Sequence, residues 1–262
     1  MGSNRRDSAP AFLEVRQVEK RFGGVLAVNG LSFQVLKGEI VGLIGPNGAG
    51  KTTVFNIISG VTRPDRGLVV LDGREVQGLH PFQIARLGIA RTFQEIHLFK
   101  ELTVLHNVMS AGHLRATYGF WEGLLRLPRV RRIESRLAEE SLNMLSMFGL
   151  GDVATAGAGE LPYGLQKTLE IVKALITRPR LLLLDEPAAG LNPEETDRLK
   201  ELIHRIRDQF DLTIIVIEHT MDLIRDVSDH IVVMNFGEKL AEGHWDEVRC
   251  NEDVVRCYLG ED

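Results

Sequence analysis

The chain has 262 residues, which is enough for one large α/β domain or two small ones. Its 31 Lys and Arg against 36 Asp and Glu residues give a net charge of −5, which argues against a protein whose main task is to wrap nucleic acid. No apolar run approaches the roughly 20 residues that span a bilayer and no signal peptide is visible, so we expect a protein that serves any membrane from its cytosolic side.

The first elements along the chain read as strands. After a polar N-terminal stretch, residues 1–11, which we expect to be a flexible tail, FLEVRQV and LSFQVL alternate enough to be strands, with a turn at Gly23-Gly24 between them. The continuous apolar run EIVGLI is typical of a strand buried on both faces. LVVLDG predicts another strand, and IARTF leads into Gln94.

A glycine-rich stretch, GPNGAGKTT, runs from Gly45 to Thr53 directly after that apolar run. Gly45, Gly50, Lys51 and Thr52 fit the phosphate-loop pattern G-x-x-x-x-G-K-[ST], and a helix-like run follows. The glycines allow backbone N–H groups to surround phosphates at the positive end of that helix. Lys51 can reach the β- and γ-phosphates and the Thr52 hydroxyl can bind Mg²⁺. The stretch therefore predicts a nucleoside triphosphate site.

From about Leu102 to Leu150 the spacing of apolar residues becomes helical. We predict an α/β core interrupted by a mainly helical subdomain over about residues 95–178. An arginine cluster lies in this insertion, and a solvated helix face is its simplest interpretation, with acidic lipid headgroups or an acidic partner loop as the alternative. Its members are Arg126, Arg129, Arg131, Arg132 and Arg136.

Four leucines followed by Asp185 and Glu186 form the next element, LLLLDE. The leucines predict a buried strand, and carboxylates at its C-terminal end stand where open α/β sheets bind ligands. We expect Asp185 to position Mg²⁺ and Glu186 to act near the γ-phosphate as the general base or water-orienting group. A solvated loop is the alternative for an isolated Asp-Glu pair.

The C-terminal part contains a helix, PEETDRLKELIHRIRDQ, a short buried strand in TIIVIEH, and a hairpin in HIVVMNFGEKLAEGH. The two cysteines, Cys250 and Cys257, are seven residues apart and could share a helix face. They are too few for a disulfide framework or a metal quartet, and we interpret them as ordinary thiols in a reducing cytosol.

The order of these motifs resembles the ATP-binding-cassette (ABC) ATPases. Upstream of the acidic strand, Leu161-Pro162-Tyr163-Gly164-Leu165 occupies the place of the family signature LSGGQ, and Leu165, Leu169, Val172 and Ile176 follow at helical spacing. The resemblance covers about residues 12–259. It implies a single ABC ATPase domain over 12–262: a phosphate-loop NTPase core with an antiparallel β subdomain and a helical insertion.

The resemblance also implies roles for individual residues. Phe22 would stack on adenine with Val28 beside it, Gln94 would be the lid glutamine that senses Mg²⁺ and water, and His219 would be the switch histidine that contacts the γ-phosphate. Taken singly, Phe22 could belong to the core, Gln94 to the surface, and His219 could be an ordinary strand-end histidine. Glu186, His219 and Gln94 are the implied catalytic residues, and Thr52, Gln94 and Asp185 the metal-binding ones. The implied ATP-binding residues are Phe22, Val28, Gly45, Asn47, Gly48, Ala49, Gly50, Lys51, Thr52, Thr53, Tyr163 and Gly164.

Three residues depart from the family pattern. The usual signature serine is Pro162, which cannot donate a hydrogen bond although it suits the first turn of a helix, and the usual glutamine is Leu165. Asn192 stands where the family often has aspartate. The asparagine keeps a hydrogen-bond acceptor but loses the negative charge. These departures bear on rate and on contacts between subunits rather than on nucleotide binding.

The finer resemblance is to the ATPase subunits of branched-chain amino acid importers. The segments that carry this resemblance are FGGVLAV, IARLGIARTFQ, LLLLDEPAAGLNPEE and VIEHTMDLI, together with the long segment Gly112–Arg136. It implies ATP and Mg²⁺ as cofactors and a second ATPase subunit, expected to be a paralogue, in a head-to-tail dimer. It also implies two permease subunits and, indirectly, an extracytoplasmic substrate-binding protein, with no nucleic acid partner. The chain would then sit at the cytoplasmic face of the membrane and be soluble when isolated.

Three other functions remain open. The chain could serve an importer of urea or amides, or act as a non-transport ABC ATPase on DNA or ribosomes. Proteins of the latter kind usually carry coiled coils, zinc modules or two cassettes, for which this chain has no room. A regulatory module without turnover is the third, and Glu186 and His219 argue against it.

Overall fold

The computed structural model describes residues 10–115 and 128–259. The chain divides into two compact units, which we call the core unit (residues 1–91 and 180–262) and the helical unit (Thr92–Pro179). Most of the predicted N-terminal tail lies outside the described residues, as does Arg126.

The smaller sheet of the core unit has four antiparallel strands in the order β2-β1-β4-β5. Strands β1 and β2 are joined by the predicted turn, where Gly23 has a φ of 55° that suits glycine. Their inward-facing residues are apolar and buried, which explains the alternating pattern in the sequence. The strands are β1 (Ala11–Phe22), β2 (Val25–Leu36), β4 (Arg66–Leu71) and β5 (Arg74–Glu75).

The larger sheet has six strands in the order β10-β9-β3-β8-β7-β6, all parallel to their neighbours except β10. Every residue of β3, β7 and β8 is buried, as their continuous apolar sequences predict for strands covered on both faces. The predicted hairpin near the C-terminus is formed by β9 and β10. The strands are β3 (Ile40–Ile44), β6 (Ile89–Arg91), β7 (Leu181–Asp185), β8 (Thr213–Ile217), β9 (His230–Asn235) and β10 (Glu238–Gly243).

The longest helix described in the core unit is α6, which buries one apolar stripe and exposes charged residues elsewhere. Cys250 lies in a turn before the last helix, which contains Cys257, so the two cysteines do not share a helix face. The helices of this unit are α1 (Lys51–Ile58), α2 (Pro81–Arg86), α6 (Pro193–Phe210), α7 (Met221–Val227), α8 (Trp245–Val248) and α9 (Glu252–Leu259).

The helical unit contains α3 (Val104–Gly112), α4 (Pro128–Met147) and α5 (Tyr163–Leu175), with 3₁₀ turns at His113–Arg115 and Ala158–Glu160. Helix α3 packs on both α4 and α5. Leu169, Val172 and Ile176 are buried as their spacing predicts, whereas Leu165 is only half-buried. The arginines of the cluster that lie on α4 are all exposed, namely Arg129, Arg131, Arg132 and Arg136.

Within the described residues, no helix combines the length and the apolar character that a bilayer crossing requires.

Candidate functional site

The glycine-rich stretch forms a loop between β3 and α1. A Cβ atom at Gly45 would lie 2.1 Å from the backbone oxygen of Met234, and one at Gly50 would lie 2.3 Å from that of Ala27. Both glycines also have a positive φ, 151° and 98°. Only glycine satisfies both conditions, so the loop is held in its path by close backbone neighbours.

Helix α1 begins immediately after this loop. Its N-cap, Gly50, has a left-handed conformation and no side-chain cap. The first backbone N–H groups of a helix lack intrahelical acceptors, and the helix dipole places positive potential there. Thr52 is exposed on this first turn, and Asn47 and Gly48 are exposed on the loop itself. The arrangement is suited to bind an anion such as a phosphate.

Lys51 folds back over the loop. Its Nζ donates to the backbone oxygens of Gly45 (2.6 Å) and Pro46 (3.0 Å), and the residue is buried. Burial lowers the pKa of Lys51, and the nearby Glu186 and Asp185 carboxylates oppose this shift. Lys51 therefore lies at the loop close enough to interact electrostatically with both acidic residues at the end of β7.

Asp185 ends β7 as a buried carboxylate that is paired with a buried arginine. Nη2 of Arg91 lies 2.7 Å from Oδ2 of Asp185, and the two side chains are 7% and 4% exposed. Arg91 lies within IARTFQ, where the sequence pattern alone predicts no role for it. Arg91 ends β6, and the parallel pairing of β6 with β7 that brings it to Asp185 leaves no signal in the sequence.

Glu186 follows Asp185 with a φ of 47°, a left-handed conformation that is strained for a residue other than glycine. Its backbone N–H donates to the backbone oxygen of Ile217, the last residue of β8, at 2.9 Å. This bond fixes the backbone of Glu186 beside the end of β8. Its Oε1 lies 3.2 Å from Nε2 of His219. The structure thus brings together two side chains that the sequence analysis selected separately.

Glu218 is a further buried carboxylate that the sequence analysis missed. Its Oε1 accepts from the backbone N–H of Ala188 (2.7 Å), and its Oε2 accepts from those of His219 (3.0 Å) and Thr220 (3.3 Å). Glu218 therefore ties the loop after Glu186 to the segment that carries His219. Its position between a buried strand and a predicted functional histidine was the only sequence signal.

Phe22 and Val28 differ sharply in exposure. Phe22 is 48% exposed at the end of β1, with Nζ of Lys20 lying 5.4 Å from the ring centroid. This exposure excludes the alternative that Phe22 belongs to the core, and its stacking on adenine stays a prediction. Val28 is fully buried in the hydrophobic core, so packing rather than a ligand contact accounts for its side chain.

Gln94, Tyr163 and Gly164 belong to the helical unit. Gln94 is exposed, and its backbone oxygen accepts from Nζ of the buried Lys167 at 3.0 Å. The same Nζ lies 5.8 Å from the ring centroid of Tyr163, which is itself exposed. Lys167 therefore fixes the segment of Gln94 against the start of α5.

Two of the unusual residues lie at helix N-termini. Pro162 is the N-cap of α5 and makes no side-chain cap, while its oxygen accepts from the N–H of Leu165 at 3.0 Å. Asn192 is the N-cap of α6, where Oδ1 accepts from the N–H of Glu195 (2.9 Å) and the Glu195 carboxylate accepts from that of Asn192 (3.0 Å). This capping box uses the acceptor that asparagine retains.

The last helix, α9, reaches the glycine-rich loop. Burial raises the pKa of the Tyr258 hydroxyl, which lies close to the backbone of Gly45. A cavity of about 540 Å³ lies beside this contact. Its lining includes Asn47, Gly48, Phe236 and Cys257.

The oxygen donors of the core unit fit a hard divalent cation. Asp185 supplies a carboxylate and Thr52 an exposed hydroxyl, both of which suit Mg²⁺. Protein sites usually hold Mg²⁺ through one or two carboxylates, with substrate phosphates and water completing the octahedron. This donor set therefore fits Mg²⁺ bound together with a phosphorylated ligand.

Comparison with known proteins gives consistent matches. Residues 28–189 match the protein family described as "ABC transporter". Over 250 residues, the chain is 49% identical to the high-affinity branched-chain amino acid transport ATP-binding protein BraF of Pseudomonas aeruginosa, with 95% of this chain and 98% of that protein covered. It is 46% identical over 250 residues, with the same coverage, to the protein LivG of Escherichia coli strain K12, which carries the same description.

A solved structure is similar over the whole chain as well. It is the ADP conformation of MJ1267, an ATP-binding cassette of an ABC transporter, with a TM-score of 0.84 and 32% sequence identity. The alignment covers 97% of this chain and 100% of that one.

Proposed function

This chain belongs to the ABC transporter family and is an ATP-binding cassette ATPase of phosphate-loop α/β fold, and we propose that it powers the uptake of branched-chain or related amino acids. The observation that supports this cargo class is sequence similarity. Over 95% of its length, the chain is 49% and 46% identical to two proteins described as branched-chain amino acid transport ATP-binding proteins. The cargo would be recognised by other subunits, since this chain supplies the ATPase.

The nucleotide site that we propose is centred on the loop between β3 and α1. Backbone N–H groups of Gly48, Gly50 and the first turn of α1 would surround the phosphates, and Lys51 would leave its loop carbonyls to meet the β- and γ-phosphates. The exposed ring of Phe22 would stack on the adenine. These roles are supported by the positive φ values of Gly48 and Gly50 and by the exposure of Phe22.

We assign Mg²⁺ to Thr52 and Asp185, together with the nucleotide phosphates, and the family resemblance adds Gln94. The bound ion would neutralise charge that develops on the phosphates during transfer. Glu186 would orient or deprotonate the attacking water, and His219 would hold the Glu186 carboxylate and contact the γ-phosphate. The 3.2 Å contact between Glu186 and His219 supports this pairing.

We propose that residues 12–262 form one ABC ATPase domain, with a helical subdomain over about 95–178, and that it works as a head-to-tail dimer with a second cassette. Tyr163 and Gly164 at the N-terminus of α5 would cap the nucleotide of the partner. Two permease subunits and an extracytoplasmic binding protein would complete an importer. The chain would then act at the cytoplasmic face of the membrane. Support for these partners comes from the family, since its matched relative is a transport ATP-binding protein.

The experiment that tests the cargo is reconstituted uptake. The chain is co-expressed with candidate permeases and a candidate binding protein from its own genome, and ATP-dependent uptake of labelled leucine, isoleucine and valine into vesicles is measured. We expect uptake that the Lys51→Ala variant abolishes. Uptake of urea or short amides without leucine uptake would support the alternative importer, and ATP hydrolysis stimulated by DNA or ribosomes would support the non-transport alternative.

A further inference from the structure

The buried ion pair between Arg91 and Asp185 lies at the carboxylate assigned to Mg²⁺. Nη2 of Arg91 is 2.7 Å from Oδ2 of Asp185, and both side chains are almost completely buried. Burying two charges is costly because each loses its hydration, and the attraction between them repays this cost only with good geometry. A charge pair placed at this position therefore needs a functional explanation.

Arg91 is fixed by helix α1, the helix that begins at the phosphate-binding loop. Its Nη1 donates to Oδ1 of Asn56 at 2.7 Å and to Oγ of Ser59 at 3.3 Å. Its Cζ lies 5.5 Å from the ring centroid of Phe55, a distance at which a cation is attracted to an aromatic face. The planar guanidinium is thus held on one side by α1 and presents its other nitrogen to Asp185.

Two positive side chains offset the charges of Asp185 and Glu186 in the protein itself. Asp185 and Glu186 supply two negative charges, while Lys51 and Arg91 supply two positive ones. Lys51 interacts electrostatically with both carboxylates, so these four groups act within one neighbourhood. Lys51 and Arg91 weaken the attraction of Asp185 and Glu186 for a divalent cation that arrives alone, whereas nucleotide phosphates would bring further negative charge.

We propose that Arg91 is a positioning residue that holds and neutralises Asp185 when no nucleotide is bound, so that the metal binds only together with nucleotide. This inference rests on the proposed function, in particular on Asp185 as a metal-binding carboxylate. Removing the Arg91 charge leaves Asp185 free to attract a divalent cation in the absence of nucleotide. A lysine at position 91 would keep the positive charge, so the attraction between Asp185 and a divalent cation would stay weak.

The test measures Mn²⁺ binding to the full chain without nucleotide, by electron paramagnetic resonance of the free ion. For Arg91→Gln we expect at least about tenfold tighter Mn²⁺ binding than for the parent, because a unit charge close to the ion has been removed. Arg91→Lys should bind Mn²⁺ as weakly as the parent. In Arg91→Gln combined with Asp185→Asn, the added affinity should disappear. A purely structural role for Arg91 would leave Mn²⁺ affinity unchanged.

Unchanged Mn²⁺ affinity in folded Arg91→Gln overturns the proposal, and so does tight binding that survives in the double variant. Should Arg91→Gln fail to fold, the parent is studied by NMR of arginine side chains, with the Arg91 signal assigned by its loss in Arg91→Lys. That signal should shift when ADP and Mg²⁺ are added together and stay unchanged with Mg²⁺ alone; a shift with Mg²⁺ alone overturns the proposal.

A separate control distinguishes this inference from the proposed function. Mn²⁺ binding to the parent is measured again with ATP present, where binding is expected. A parent that binds no Mn²⁺ with ATP contradicts the proposed metal site and removes the basis of the inference, however the Arg91 variants behave.

Discussion

Oε1 of Glu186 and Nε2 of His219 lie 3.2 Å apart, which joins the residues that follow two neighbouring parallel strands, β7 and β8. This contact places a carboxylate and an imidazole where one can orient the other. Both side chains retain some exposure, 19% for Glu186 and 39% for His219, so a reacting water could reach them.

Glu186→Gln should lose turnover and keep ATP affinity. Removal of one acid–base group typically costs about 10²–10⁴-fold in rate, while a neutral isostere leaves nucleotide contacts in place. Single-turnover hydrolysis and equilibrium ATP binding are measured side by side. Glu194→Gln, an exposed change on α6, is the matched control and should behave as the parent. Equal losses of binding and turnover in Glu186→Gln would contradict a role in the hydrolytic step.

Lys51→Ala should reduce ATPase activity to background and weaken ATP binding. The reason is that Lys51 is buried at the loop and supplies the cation that would face the phosphates. ATPase rates and fluorescent nucleotide binding provide the measurement. Lys37→Ala removes an exposed lysine paired with Asp211 and serves as the control. ATP hydrolysis by Lys51→Ala at the parent rate would show that the nucleotide site has been assigned wrongly.

The isolated chain should be largely monomeric and hydrolyse ATP slowly until a second cassette closes on it. ATP and its metal would form part of the contact surface, so the dimer should depend on nucleotide. Light scattering of Glu186→Gln with and without ATP should show a dimer only with ATP. A stable dimer without nucleotide, or fast hydrolysis by a dilute monomer, would argue against the shared site. Because Pro162 provides no side-chain cap on α5, a partner with a complete signature could make the two sites unequal in rate.

Asn192→Ala should lower the free energy of unfolding by about 0.5–2 kcal/mol, the usual cost of losing an N-cap. Asn192→Asp should keep most of that stability because a carboxylate can still accept from the N–H of Glu195. Urea unfolding measures both variants, with Asn143→Ala, at an exposed position within α4, as the control. Equal stability of Asn192→Ala and the parent would mean that the capping box contributes little.

Glu170→Gln should change how stability depends on pH. Burial raises the pKa of Glu170 above its ordinary value of 4.5, although the backbone N–H of His97 donates to its Oε1 at 2.7 Å. The folded state therefore holds this proton more tightly than the unfolded state does. As pH rises from about 4.5 through the folded-state pKa, ionisation of Glu170 disfavours folding, and above that pKa the penalty is constant.

Glutamine keeps an acceptor for His97 and does not titrate. Relative to the parent, Glu170→Gln should gain stability as pH rises through this window. The measurement is the free energy of urea unfolding at several pH values, with Glu139→Gln on the exposed face of α4 as the control. A stability difference between Glu170→Gln and the parent that does not change with pH would contradict this assignment.

The sequence predicts those features that depend on local pattern. The buried strands follow from continuous apolar runs, and the phosphate-binding loop follows from glycine spacing, since Gly45 and Gly50 must approach other backbone closely. The acidic end of β7 could be predicted for the same reason, because a buried strand and its polar end are adjacent in the chain.

The sequence could not predict features that arise from pairing between distant segments. Arg91 is 94 residues from Asp185, and Glu218 is 30 residues from Ala188, so neither contact leaves a local pattern. Burial of Val28 was equally hidden, since its exposure depends on how β2 packs in the core. In each case the missing information is which strands become neighbours in the sheets.

The contact between α9 and the glycine-rich loop makes the C-terminal helix a place to attach an optical reporter. Cys257 precedes Tyr258, whose hydroxyl lies close to Gly45, and Cys257 itself lines the cavity together with Asn47 and Gly48. The only other thiol is Cys250, and after its replacement by serine a single environment-sensitive dye could be attached at Cys257. Its emission would follow the arrival and departure of nucleotide in real time, without a modified nucleotide.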